Sequence, residues 1–210
     1  MGAATGTNTS FRYMRASSDT IPAGDAQPCP GTPTVTDIDG NVYNTVKIGE
    51  QCWMKENLRV TRYADNTEVT GRYVPNNDEA NVTAYGYLYN WYAMMHGVSS
   101  SSSNPSGVQG ICPTGWHVPS DAEWIQLTDY VSSVPVYWCG GNSDNIAKAL
   151  AATTGWMDYS GDCAVGNNQS ANNATGFGAL PAGASTNSYG PFGSNAFFWS
   201  TSVCAFTIEC

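Results

Sequence analysis

The chain has 210 residues, of which 41% are hydrophobic and only 12% charged, with a formal net charge of −9 and a pI near 4.4. This apolar content supports one sizeable core and excludes an intrinsically disordered chain. Eight Lys plus Arg cannot line a phosphate-neutralising stripe, which excludes nucleic acid as a partner and argues equally against attachment to an acidic membrane surface.

The polar load falls on Asn, Ser, Thr and Gly, and 22 Gly with 11 Pro favour loops and short strands over long helices. Residues 1–28 run through Ser, Thr, Gly and Pro and are read as an arm preceding a domain at 29–210. The arm's short alternation at Phe11, Tyr13 and Met14 marks either a leader without regular structure or an extended segment that adds to a neighbouring copy.

From Thr34 the text VTDIDGNVYNTVKIGEQCWM predicts a hairpin, with strands near 34–38 and 42–48 around the turn Asp39-Gly40-Asn41. Residues 65–83 form a polar loop; calcium is the alternative reading of its acidic cluster, but the D-x-[DN]-x-[DN]-G spacing is absent. YGYLYNWYAMMHG then reads as a strand passing into one helical turn.

GICPTGWHVPSDAEWIQLTDYV, residues 110–131, is the most specific stretch. Ser120 followed by Glu123 predicts a capping box and a helix start. Trp124, Leu127 and Val131 then recur at helical spacing, and Pro135 ends the helix. A second helix over NIAKALAATTGW, capped by Ser143 or Asp144, and a late strand beginning at Phe198 and Trp199 complete the reading. Trp53, Trp91, Trp116, Trp124 and Trp199 are expected in the core, whereas Tyr137, Trp138 and Trp156 are expected to be exposed and to contact a ligand.

Seven cysteines without a C-x-x-C pair, and only two histidines, make a zinc site improbable and favour disulfides in an oxidising compartment. Cys29 and Cys52 flank the open ends of the hairpin, and Cys139 and Cys163 bracket the second helix; these are the preferred pairs. Of Cys112, Cys204 and Cys210, at least one is left over, to remain free, to pair between chains or to pair with a segment not present here. No run reaches the roughly 18 apolar residues of a membrane helix, and Met1–Ser10 lacks the basic and apolar regions of an export signal, so membrane insertion is not expected.

An active site needs a nucleophile with a base, paired carboxylates or a metal. The sequence holds no G-x-S-x-G elbow, H-E-x-x-H, P-loop or dinucleotide fingerprint, and His96 and His117 read as packed side chains. No enzyme and no cofactor are expected.

The ordered motifs VTDIDGNVYNTVKIGEQCWMKENL, YGYLYNWYA, GICPTGWHVPSDAEWIQL, TGFGALPAG and FWSTS, spanning about residues 30–202, resemble the Fibrobacter succinogenes major paralogous domain of bacterial surface and secreted proteins. Its GWHVPSDAEW segment is similar to a helix start of the formylglycine-generating enzymes. That likeness implies an α+β, C-type-lectin-like fold: two short helices on small irregular antiparallel sheets with long loops, stapled by disulfides. The late R-G-G-S-W block and the copper-binding cysteines of those enzymes are missing, which leaves a related oxidase as a minor alternative. The leading expectation is an extracellular or cell-surface module for adhesion, binding a surface glycan or protein. The alternative is a structural subunit of a filament, whose partners are other copies of itself.

Overall fold

A computed structural model of the chain describes residues 8–9, 14–16, 26–185 and 189–202. The architecture is α+β, with short helices and 3-10 turns on two small antiparallel sheets and two disulfides. At its centre lie β4 (Val42–Ile48) and β5 (Gln51–Met54), with Val46 opposite Trp53 and Lys47 opposite Cys52. β3 (Thr34–Thr36) pairs with the start of β4, so the expected hairpin is present. Asp37 organises its turn, one carboxylate oxygen accepting from the Asp39 and Asn41 amides at 2.9 Å each. Gly40 completes it at φ 82°, a left-handed conformation that costs glycine little.

Side chains alternate along β4 and β5, and from Thr45 onward both faces are buried. Tyr43, Cys52 and Met54 join one apolar cluster with Leu58, Tyr89, Met94, Ile111 and Trp116, whereas Val46, Ile48 and Trp53 join a second with Leu127, Val131, Ile146 and Phe177. After the single turn α1 (Val82–Tyr85), β7 (Leu88–Tyr89) and α2 (Trp91–Met95) contribute to the first cluster. Asn90 caps α2 by accepting from the Ala93 amide at 2.8 Å, the strand-to-helix passage read from the sequence. Gly110, at φ 53°, brings the next excursion so close that a Cβ there would lie 2.2 Å from the Met94 carbonyl oxygen.

The second cluster lies under α3 (Asp121–Ser133), which buries Glu123, Leu127 and Val131. Its capping box is complete: the Ser120 hydroxyl accepts from the Glu123 amide, and the Glu123 carboxylate accepts from the Ser120 amide at 2.9 Å. Trp53, Trp116 and Trp199 are buried, while Trp91 and Trp124 are half-buried against the clusters. Trp124 stands 4.7 Å from Trp53, ring centre to ring centre. Its Nε1 donates to the Trp199 carbonyl, and Trp199 Nε1 donates to the Tyr89 carbonyl, so one indole chain ties the last described segment to both helix α3 and strand β7.

Two expectations are corrected. The second helix is a single turn, α4 (Ala147–Leu150), following Ile146 without a side-chain cap; the Asn142 side chain instead accepts from the Asp144 amide in a turn. The chain leaves α4 at once because Ala151 and Ala152 bridge to Ala179, and this long-range pairing overrides the local helical propensity of the alanines. Phe198 and Trp199 do not start a strand; that segment crosses the core irregularly, held by its indole and backbone hydrogen bonds. Of the arm, the described strands pair with this chain's own sheets. β1 (Asn8–Thr9) lies between β7 and β8 (Ala184–Ser185), and β2 (Met14–Ala16) pairs with β5. With β6 (Arg72–Tyr73) and β9 (Tyr189–Gly190), the larger sheet runs β6-β7-β1-β8-β9, and the smaller β2-β5-β4-β3. Phe11 and Tyr13 lie outside the described residues, while Met14 opens β2. Among the described residues, no helix is long and apolar enough to cross a membrane.

Candidate binding surface

Cys29 is bonded to Cys52, and Cys139 to Cys163, the two pairs preferred from their positions in the sequence. The first pins the start of the domain to β5. The second ties the turn after α3 to the long loop that follows α4, and so joins the segments that carry Trp138 and Trp156. Cys112 is free and buried, and burial pushes its thiol well above the usual range, which disfavours the nucleophilic thiolate. Cys204 and Cys210 lie outside the described residues.

The three aromatics expected to contact a ligand have different fates. Tyr137 is only 7% exposed and packs in the second cluster, so it is a core residue; its place on a 3-10 turn beside a helix end turns its ring inward. Trp138 is half-buried, packs against the same cluster and donates through Nε1 to the Ser132 carbonyl at 2.9 Å. Trp156 is half-buried, and its Nε1 is buried without a hydrogen-bond partner.

The loop around Trp156 is held at several points. Gln169 clamps the Trp156 backbone twice, accepting from its amide at 3.1 Å and donating to its carbonyl at 2.8 Å. The Met157 amide donates to the Gly193 carbonyl at 2.7 Å. The Lys148 ammonium donates to the carbonyls of Ala164 and Asn167, and burial lowers its pKa from the ordinary value. On this fixed loop stand Met157, 64% exposed, and Tyr159, 70% exposed. Val136, on the other side of the Cys139–Cys163 bond, is 77% exposed. Sequence reasoning missed Met157 and Tyr159. Their signal was local: an aromatic and a methionine set among Gly, Ser and Asp, just ahead of a bonded cysteine.

Other polar groups are already engaged by the protein. His117 Nε2 lies 2.8 Å from Glu123 Oε1, and the second Glu123 oxygen accepts from the Ser106 and Ser120 amides. His96 stacks on Tyr63 with ring centres 3.6 Å apart and faces Asp65. A depression of about 260 Å³ is lined by Asp37, Ile38, Arg62, Ile111 and Cys112, but Asp37 is held by Tyr43 at 2.6 Å and Arg62 by Asp39 at 2.7 Å. Among the described residues, no group of three or more His, Cys, Asp or Glu side chains is placed to hold a metal ion.

No curated protein matches the chain, and no solved structure matches it. A family model does match, over residues 46–204, a span that takes in the last three residues of β4, all of β5, α3, most of both apolar clusters and the Cys139–Cys163 loop. On that match, the chain belongs to the Fibrobacter succinogenes major domain family.

Proposed function

We propose that the chain is a non-catalytic module of the bacterial exterior that binds a glycan or a protein through the loop of residues 155–163. The observation that carries this reading is the exposure of Met157 and Tyr159, 64% and 70%, on a loop tied at Trp156 by Gln169, at Met157 by the Gly193 carbonyl and at Cys163 by the disulfide. Exposed apolar side chains gathered in one patch mark binding sites, and Met157 and Tyr159 stand two residues apart on the same loop. Preorganisation also lowers the ordering entropy lost on binding.

Two disulfides support an oxidising, extracellular or cell-surface location. The layout of short helices on small antiparallel sheets supports the C-type-lectin-like fold that the sequence resemblance implies. The oxidase alternative loses support because, among the described cysteines, four are in disulfides and Cys112 is buried.

The test is binding of the purified chain to a glycan array and to intact bacterial cells, repeated with Tyr159→Ala and Trp156→Ala. An exposed Tyr159 makes few contacts in the free protein, so its replacement should leave the thermal midpoint unchanged and weaken binding about tenfold or more. Absence of any bound glycan or cell surface, or full binding by both variants, overturns the reading.

A further inference from the structure

We propose that the N-terminal arm is an exchangeable donor strand, and that β1 of one copy fills the slot between β7 and β8 of a second copy. This goes beyond the binding role of the loop and does not depend on it.

The slot is a consequence of topology. Thr9 pairs with Tyr89 on one side and with Ala184 on the other, and Asn8 pairs with Ser185. The sheet order places β1 between β7 and β8, so these two strands meet in the sheet only through the arm. Without β1 the sheet falls into two short ribbons, β6-β7 and β8-β9. Each then presents an edge of unpaired backbone groups, which another strand readily pairs. A strand from another chain of the same sequence satisfies the same hydrogen bonds in the same register.

The arm is also separable from the rest of the domain. The fixed domain starts where the Ala26 amide donates to the Lys47 carbonyl and the Lys47 amide to the Gln27 carbonyl, just ahead of the Cys29–Cys52 bond. Between this root and β2 lie residues 17–25, Ser-Ser-Asp-Thr-Ile-Pro-Ala-Gly-Asp, a linker composition. Nine such residues span up to about 30 Å when extended. A linker of that reach allows the arm to be carried to a neighbouring copy. The family match begins at residue 46, so the strand that completes the sheet lies outside the matched region. β1 and β2 are two and three residues long, which keeps the number of pairings to be broken on withdrawal small. Exchange then conserves every pairing and adds only the entropy cost of association, the balance that makes swapping an identical element a low-cost route to assembly.

Disulfide trapping in the full-length chain tests this directly. One chain carries Thr9→Cys and a second carries Ala184→Cys; they are mixed at high concentration and oxidised in air, with molecular oxygen as the oxidant that takes up the two thiol hydrogens. A third chain carries both substitutions and reports whether the pair closes within one molecule. The expected result is a covalent dimer from the mixture, linked between positions 9 and 184 on peptide mapping and abolished by excess peptide of residues 1–18. Closure within the doubly substituted chain without any link in the mixture overturns the proposal. Failure of both also overturns it, because β1 then does not occupy the slot.

Discussion

At the scale of single residues, buried carboxylates fix the loops. Glu123 is fully buried, and its two oxygens take the Ser120 amide, the Ser106 amide and His117 Nε2. One side chain thus caps α3, holds the loop before it and anchors a histidine. Glu123→Gln keeps the shape but offers one acceptor where two are needed and turns an N–H donor toward existing donors. It should destabilise the fold by about 1.5–3 kcal/mol, the loss expected for a buried charge-assisted hydrogen bond, read as a lower urea midpoint at unchanged slope. Asp39 makes a pH-dependent contribution. Partial burial pushes its carboxyl up, but the Thr61 amide, the Arg62 guanidinium and the Thr61 hydroxyl together carry it below the ordinary value of 3.8. A depressed folded-state pKa stabilises the fold above the unfolded value and loses that stabilisation as pH falls through the folded value. Asp39→Asn should therefore lower the thermal midpoint at pH 7, with the gap to the parent closing as pH drops below about 3.8. A gap that stays constant from pH 7 to pH 2 would show that Asp39 contributes through shape alone.

Between elements, the loop after α4 owes its order to tertiary ties. The Cys139–Cys163 bond closes a loop of sequence separation 24, for which the chain-entropy account gives about 3 kcal/mol. Cys139→Ser with Cys163→Ser should lose about that much stability, and amide hydrogen exchange should rise first at residues 155–163 while α3 stays protected. Uniform loss of protection would mean that the loop and the helix open together. The same contrast explains which elements the sequence made legible. α3 was readable because its capping box is local, Ser120 and Glu123 standing three residues apart. The β3–β4 hairpin was readable because the Asp39-Gly40 turn announces it. α4 was overextended because nothing near Ala147 signals the distant bridge from Ala151 to Ala179. The arm was legible only as one of two readings, an extended segment that adds as a strand; the partners of β1 and β2 were not legible, because strands of two or three residues carry no periodicity and their partners lie far along the chain. The candidate surface was legible in part: Trp156 and the disulfide were within reach of sequence reasoning, but the inward turn of Tyr137 and the exposure of Tyr159 depend on packing.

Across the whole molecule, two cores share one sheet. β4 and β5 send Tyr43, Cys52 and Met54 to one cluster and Val46, Ile48 and Trp53 to the other, so neither core can be lost while the other keeps its backing. Phe198 packs against both, and the Trp124–Trp199–Tyr89 hydrogen bonds run from helix α3 to strand β7 across the divide. Such sharing predicts one cooperative transition, with tryptophan fluorescence and far-ultraviolet circular dichroism reporting the same midpoint. Ile48 and Met54 lie on opposite faces, 1% and 0% exposed. Ile48→Ala and Met54→Ala should each cost about 2–5 kcal/mol, and each should shift both signals together. A variant in which fluorescence and circular dichroism separate would instead assign each core its own stability. The sheet would then be an interface between two folding units, and loss of the arm strand β1 would weaken the Tyr89 side before the α3 side.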